Sequence, residues 1–480
     1  MQSIMLFNSL EFLLFFVAIT TLFFTIPSRF QWMVLLVGSY VFYMCWKPVY
    51  ILLIIASTLV DYYCGARMGE VSHSSRRRYL AISLITNLAL LFFFKYFNFF
   101  NDSIREVFQQ LNLSYAIPAL NILLPVGISF YTFQTLSYSI DVYRGHQAPE
   151  RHLGRFALYV SFFPQLVAGP IERSIHLLPQ FTQTHVFDPD RVTSGLRLIL
   201  WGFFKKIVIA DRLALYVNMV YNNPTDFHGL SLILATYFFA FQIYCDFSGY
   251  SDIAIGCARV LGFDLMINFK QPYFSQSISE FWSRWHISLS TWFKDYLYIP
   301  LGGNRVVRWR WFLNLYVVFL VSGLWHGANW TFVVWGALHG LYVVVGAATA
   351  DVRARLRARL QVPAAWGHLG QMVLTFHAVT VAWIYFRANT LADANYIVSH
   401  LFSLAPSSLR LGPSAFTTAL TGLLLAIFIL LECLLRFGVS RRIASWRPGC
   451  VVIAYPAYCL MLITIFLFGV SANQFIYFQF

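Results

Sequence analysis

Charge is scarce in this sequence: only 11% of its 480 residues are Asp, Glu, Lys or Arg, against about 25% in ordinary soluble domains. Hydrophobic residues make up 59%, which excludes a soluble globular enzyme. Acidic residues are the scarcest of the charged types, 20 against 34 Lys and Arg, leaving a formal charge of +14. Long apolar runs divide the basic residues into short clusters, the pattern of membrane topology and not of a nucleic-acid surface. The seven cysteines, Cys45, Cys64, Cys245, Cys257, Cys433, Cys450 and Cys459, form no CxxC pair and lie mostly in apolar stretches. There Cys acts as a small hydrophobe, so neither a disulfide framework nor a zinc site is expected. HExxH, the GxxxxGK(S/T) phosphate loop, the GxSxG elbow and GxGxxG are all missing. Metalloprotease, nucleotide hydrolase and dinucleotide-binding readings therefore lack their primary residues. No basic residue precedes Arg29 and no A-x-A-like cleavage pattern follows, so the N-terminal stretch is expected to be a retained helix.

What is present is apolar sequence in blocks. Runs at about 10–26, 32–46, 49–66, 79–97, 121–140, 195–210, 231–257, 311–325, 328–347, 371–386, 416–437 and 451–470 suit helical spans of about 20 residues. With no fixed-period repeat, low-complexity tract or soluble domain, the sequence predicts an all-α polytopic membrane protein. It would have roughly eleven or twelve transmembrane helices in one domain over 1–480. The third run is the weakest, because Lys47 and Pro48 split one apolar block into two short pieces. Phe156 to Pro170, with Pro164 and Gly169, is expected to be re-entrant, its irregular backbone satisfied beside a cavity. Basic clusters at Arg76 to Arg78, Arg144 to Arg155, Arg284 to Arg310, Arg353 to Arg359 and Arg441 to Arg447 mark the cytoplasmic side. The segments 98–120, 211–230 and 387–415, with both termini, then face outward. Lys205 and Lys206 sit inside an apolar run and are expected to snorkel or to line an anionic site.

Chemistry is sought where ionisable groups enter apolar sequence, since burial there is costly without a partner or a task. Of twelve histidines, His286, His326, His339 and His377 lie in or beside such sequence. His339 and His377 are read as hydrogen-bonded core residues. His326 lies in Ser322-Gly323-Leu324-Trp325-His326-Gly327-Ala328-Asn329-Trp330, at the turn between two apolar helices. The glycines permit close approach, and a buried neutral imidazole can take a proton from a hydroxyl, so His326 is a candidate general base. Its alternative is a tight helical hairpin in which the ring only bonds to backbone.

His286 falls within Ile278 to Leu297, where Phe281, Trp285, Leu289, Trp292, Phe293 and Tyr296 recur at three- and four-residue steps. That spacing predicts one amphipathic helix at the cytoplasmic interface, with His286 beside Trp282 on the edge facing the bundle. An interfacial anchor with an incidental His fits equally. Tyr244 to Asp252 brings Tyr244, Asp246 and Ser248 to the end of an apolar run; Asp246 is placed to orient a His, to bind a cation or to bond between helices.

Several long blocks are more specific. Met5-Leu6-Phe7-Asn8-Ser9-Leu10-Glu11-Phe12-Leu13, Leu124-Pro125-Val126-Gly127-Ile128-Ser129-Phe130-Tyr131-Thr132-Phe133-Gln134 and Phe163-Pro164-Gln165-Leu166-Val167-Ala168-Gly169-Pro170-Ile171 resemble bacterial membrane-bound O-acyltransferases. So do Tyr244 to Ser251, Phe281 to Ser288, Leu324 to Asn329 and the tail Phe475-Ile476-Tyr477-Phe478. The likeness is greatest to the alginate O-acetyltransferase subgroup and runs from the first helix to the last residues.

The resemblance implies a bundle of transmembrane, re-entrant and amphipathic helices around a tunnel. His326 matches the family's catalytic histidine and His286 its second polar position. Trp325, Asn329, Trp285, Trp282, Tyr244, Asp246 and Ser248, which lie in the matching blocks, become tunnel or supporting residues. It also implies acetyl taken from a cytoplasmic thioester, acetyl-CoA, as co-substrate with no bound cofactor or metal. Periplasmic polysaccharide-modifying proteins, membrane lipids and no nucleic acid are the implied partners, at the bacterial inner membrane. Arg284, Lys294 and Arg305 are candidates to attract the phosphates of the donor, although lipid headgroups explain the same charges. Alginate is the expected acceptor, with cellulose, peptidoglycan or another exopolysaccharide as alternatives and D-alanyl transfer to teichoic acid more distant. A transporter of polysaccharide or lipid-linked substrate would show paired half-helices or inverted repeats, and neither is found.

Overall fold

A computed structural model describes residues 5, 7–167, 169–361, 363–403, 414–436, 438 and 454–470. The cluster Arg441, Arg442 and Arg447, Cys450 and the tail Phe475 to Phe478 lie outside the described residues. Among the described residues the regular structure is helical throughout, with no strand. Six helical segments have the length and apolarity to cross a bilayer: Pro48–Met68, His73–Gln110, Leu230–Leu261, Trp330–Ala348, Ala364–Arg387 and Ala415–Arg436. Leu10–Thr25 and Tyr455–Phe468 are shorter apolar helices. The molecule is a multi-pass helical membrane protein.

The expected apolar runs fall on helices, with two local differences. Lys47 and Pro48 do split their apolar block: Gln31–Met44 ends before them, Lys47 is extended, and Pro48 opens a 3-10 turn, Pro48–Tyr50, where its missing N–H costs nothing, before Ile51–Met68. The 121–140 run enters a helix only at Ile128, after Gly127 turns the chain at φ 75°. The 195–210 run begins as the helix Pro189–Phe203 and ends as a π-helical stretch, Phe204–Ala210.

The chain divides into two compact units, Met1–Ile199 with Ile253–Met266, and Leu200–Asp252 with Ile267–Phe480. The first is held by polar contacts between apolar helices. Asp61, buried on Ile51–Met68, accepts hydrogen bonds from Ser83 Oγ (2.5 Å), Asn87 Nδ2 (2.8 Å) and Ser139 Oγ (3.2 Å). Asn87 Oδ1 in turn accepts from Ser57 Oγ at 2.8 Å and Thr135 Oγ1 at 3.2 Å. Three helices, Ile51–Met68, His73–Leu91 and Ile128–Arg144, thus share one hydroxyl and amide network around a carboxyl group.

The segment expected to be re-entrant is broken as its Pro and Gly suggest. Leu153–Ser161 ends at Phe162 and a short turn, Phe163–Leu166, follows. Its free backbone groups find protein partners: Gln134 and Gln165 both donate to the Tyr159 carbonyl, at 2.5 and 2.9 Å, and Ser39 Oγ accepts from the Phe163 N–H at 3.0 Å. Side chains of neighbouring helices therefore do what a cavity was expected to do.

The second unit carries most of the candidate site. Here Lys205 and Lys206 do not snorkel; they meet carboxylates of the protein itself. Both are buried in the π-helical stretch, Lys205 Nζ at 2.6 Å from Asp252 and 2.9 Å from Ser248 Oγ. Lys206 Nζ lies 2.6 Å from Asp246 and 2.8 Å from Asp211. Both lysines thus reach carboxylates of the helix Leu230–Leu261, and Lys206 also reaches Asp211, which opens the helix Asp211–Tyr221.

Candidate active site

The helix Arg308–His326 ends on the candidate base, and Gly327 leaves it in extended conformation. The next helix, Trp330–Ala348, is capped by Asn329, whose side-chain oxygen accepts the Thr331 N–H at 3.0 Å. Asn329, expected as a supporting site residue, is therefore placed as an N-cap, and its amide also donates to the Asn389 carbonyl at 3.3 Å.

Two glycines set how closely these helices pack. A Cβ on Gly323 would lie 2.3 Å from the Phe332 carbonyl oxygen, and one on Gly336 would lie 2.4 Å from the Phe319 oxygen. Backbone meets backbone at that crossing, one turn from His326 on one helix and next to Trp335 on the other. Gly336→Val is expected to force the helices apart and lower both thermal stability and transfer activity, at an overpacking cost of about 1–3 kcal/mol. Unchanged melting and activity in Gly336→Val would show that the crossing is not needed.

Around His326 the approach is aromatic. Its ring centroid lies 5.0 Å from Trp325, 4.9 Å from Trp335 and 5.4 Å from Phe386, each roughly edge to face. Behind these, Trp383 lies 5.1 Å from Phe386 and 5.8 Å from Trp335, so the inner rings are held by outer ones. The imidazole is 3% exposed.

His286 is 6.3 Å from His326, centroid to centroid, and 5.9 Å from Trp325. The single helix expected through it does not form. Ile278–Arg284 and Ile287–Phe293 are separate, and His286 joins them at φ 44° and ψ 54°, the left-handed region that non-glycine residues avoid. The cause is a distant segment. The Lys270 N–H donates to the Arg284 carbonyl at 2.9 Å, and the Ile287 N–H donates to the Asn268 carbonyl at 3.0 Å. Asn268 Oδ1 accepts from Ser288 N and Ser288 Oγ, at 3.2 and 2.9 Å. Residues 268–270 thus clamp both flanks of His286 and hold its strained backbone. The ring faces the interior, as the spacing indicated. It packs edge-on against Phe247 at 4.6 Å, and burial pushes its pKa down to about 3. His286 therefore stays neutral across the physiological range.

Trp285 is fully buried against Trp383 at 5.0 Å and Phe269 at 5.1 Å. The Trp282 indole N–H donates to His339 Nδ1 at 3.2 Å. His339 is thus a hydrogen-bonded core residue, as expected, while His377 is an exposed one, bonded to Tyr237 OH and the Val373 carbonyl, each at 2.7 Å. Tyr244 donates to Glu432 at 3.2 Å, and both line a cavity of about 190 Å³ with Gln271, Tyr273 and Phe376.

Asp246 and Ser248 are not brought to the histidines by any of these bonds; they bind the ammonium groups of Lys206 and Lys205. Of the basic residues proposed for the donor, Arg284 already pairs with Glu280 at 2.7 Å, and Lys294 and Arg305 are exposed. Residues not singled out from sequence are Asn268, Trp335, Trp383 and Phe386. Only the four-residue step from Thr331 through Trp335 to His339 was visible as a pattern.

Comparison with known proteins places these residues in company. The model of the membrane-bound O-acyltransferase family matches residues 35–386, a range that includes both His286 and His326. The chain is 40% identical over 445 residues to the probable alginate O-acetylase of Pseudomonas aeruginosa, covering 91% of this chain and 82% of that protein. It is 34% identical over 405 residues to the peptidoglycan O-acetyltransferase of Helicobacter pylori, covering 79% and 74%. With the teichoic acid D-alanyltransferase of Bacillus subtilis it shares 29% identity over 240 residues, 47% of this chain and 59% of that protein.

Proposed function

The chain belongs to the membrane-bound O-acyltransferase family, and on that footing we propose that it moves acetyl from a cytoplasmic thioester to hydroxyls of an extracytoplasmic polysaccharide, with alginate as the acceptor. The observation that carries the catalytic part is the pair of buried imidazoles 6.3 Å apart inside an aromatic shell. His326 ends a helix at a glycine turn where a substrate can come close, and it serves as the general base.

In this reading acetyl-CoA presents its carbonyl carbon to the acceptor oxygen. His326 takes the hydroxyl proton as the new C–O bond forms, the C–S bond breaks, and the same proton passes to the departing thiolate. A thioester is already activated, so the enzyme mainly aligns the two partners and manages one proton, a base contributing about 10²–10⁴-fold. His286, held neutral and clamped by Asn268, positions the second polar wall beside His326. The aromatic shell excludes water and limits loss of the thioester to hydrolysis. Arg284, Lys294 and Arg305 supply positive charge for the donor phosphates, and periplasmic polysaccharide-modifying proteins work beside it at the inner membrane.

Alginate is chosen because relatives named as probable alginate O-acetylases are 39% or 40% identical over at least 90% of the chain. The Helicobacter pylori relative supports peptidoglycan as the second acceptor. Deletion of the gene, with acetyl content measured by NMR on each isolated polymer, separates the two. Loss of acetyl from mannuronate residues, restored by the intact chain, is the expected result; loss from peptidoglycan alone would reassign the acceptor, and no change in any polymer would refute the reading.

A further inference from the structure

One face of the helix Trp330–Ala348 carries three polar groups that are buried with no hydrogen-bond partner among the described residues. Thr331, Trp335 and His339 follow at four-residue steps and so stand on one side of the helix, each about one turn from the next. Their exposures are 1%, 0% and 0%. Thr331 Oγ1, Trp335 Nε1 and His339 Nε2 have no hydrogen-bond partner among the described residues. In the neutral ring of His339, Nδ1 accepts from the Trp282 indole, so the proton is on Nε2. The row therefore offers an indole N–H, an imidazole N–H and a hydroxyl. The first two can only donate, so what completes them must be an acceptor oxygen.

Buried donors left open are costly, roughly 1–3 kcal/mol each, and a cost repeated three times along one face calls for a ligand. The middle donor belongs to Trp335, whose ring packs edge to face on His326 with 4.9 Å between centroids. The Gly323–Gly336 crossing holds the two helices at this separation.

We infer that the Thr331–Trp335–His339 face is the hydrogen-bonding wall of the transfer site, and that the Trp335 indole N–H donates to the thioester carbonyl oxygen as it becomes an oxyanion. The assignment rests on the acyl-transfer reading above and adds the group that reading lacks. When the acceptor oxygen bonds to the carbonyl carbon, the C=O π electrons move to the carbonyl oxygen and the hydroxyl proton moves to His326. The Trp335 N–H holds the negative oxygen without giving up its proton. As the tetrahedral species collapses, those electrons re-form C=O, the C–S bond breaks, and the thiolate takes the proton from His326. A donor fixed in place before charge develops costs no reorganisation, and removing such a donor lowers kcat by roughly 10²–10³-fold.

The test uses the full chain in lipid nanodiscs, with acetyl-CoA as donor and a mannuronate oligosaccharide as acceptor. Trp335→Phe, which keeps a ring and loses the N–H, is expected to lose roughly 10²–10³-fold in kcat while KM for acetyl-CoA stays within about threefold, the split for an interaction made only in the transition state. Phe386→Leu, which changes another ring on His326 without removing a donor, is expected to lose less than about tenfold in kcat. Equal losses in the two variants would mean that packing is responsible, and a Trp335→Phe enzyme with more than about a tenth of the parent kcat would overturn the assignment. Should Trp335→Phe fail to fold, Trp335→His keeps a ring N–H there. Its kcat must then exceed that of Trp335→Leu at least tenfold, by about 1.4 kcal/mol, or the assignment falls. A parent protein that transfers acetyl to neither mannuronate nor peptidoglycan fragments would instead sink the acyl-transfer reading itself.

Discussion

A His326→Gln protein is expected to insert and fold like the parent and to transfer acetyl about 10²–10⁴ times more slowly, the range a positioned general base supplies. Glutamine is the informative choice because the site is filled. Three aromatic rings close on the imidazole at 4.9–5.4 Å between centroids, and alanine would leave a cavity whose cost confounds chemistry with stability. Glutamine keeps hydrogen-bonding atoms at the end of a helix but cannot accept a hydroxyl proton near neutral pH. Acetyl transfer to mannuronate oligosaccharides, measured beside the melting temperature of the same preparation, separates the two effects. More than about a tenth of parental kcat in a normally melting His326→Gln would remove the residue from the proton transfer. An acetyl-enzyme trapped on His326 by rapid denaturation of the parent at neutral pH would point instead to the imidazole carrying the acetyl group.

How far the sequence foretold this site depends on whether the determining contacts are local. The helical runs were legible because burial in a bilayer demands long apolar blocks, and the turn at His326 was legible because its glycines flank it. His286 shows the limit. The aromatic spacing from Phe281 to Tyr296 is that of one helix, yet the chain breaks at Trp285 and His286. Asn268 and Lys270, far off in sequence, supply the hydrogen bonds that a continuing helix would have made internally. Periodicity therefore gave the correct inward face and the wrong backbone. Asp246 was read as orienting a His, binding a cation or bonding between helices, because polar residues in apolar sequence need partners, and its carboxylate meets the Lys206 ammonium while Ser248 accepts from Lys205. The partners are lysines some 40 positions earlier, and no pattern in either segment names the other. The row at Thr331, Trp335 and His339 had visible spacing, but each residue alone reads as core, and only the count of unpartnered donors distinguishes it.

The largest stability effect is expected from Lys206→Met. Lys206 Nζ lies between Asp246 at 2.6 Å and Asp211 at 2.8 Å, and all three side chains are buried. Removing the ammonium leaves two carboxylates facing each other in a low-dielectric interior, and breaking such a pair typically costs about 3–5 kcal/mol. The triple variant Lys206→Met, Asp246→Leu and Asp211→Leu removes the charges together and is expected to regain most of that loss, because the desolvation penalty goes with the attraction. Unfolding midpoints of the purified proteins in mixed micelles measure both. A single variant as stable as the parent would show that the cluster contributes nothing net, and a triple variant no better than the single would show that packing around it dominates. The cluster is also expected to bear on catalysis. Asp246 neighbours Phe247, whose ring meets His286 edge-on at 4.6 Å, so the ion pair fixes the helix that presses the second histidine into place. Lys206→Met is therefore expected to lose transfer activity through the orientation of His286, and the triple variant, in which the helix is again satisfied, to recover it along with stability. Stability recovered without activity would instead mean that the charges act on the reaction through their field and not through the position of the helix.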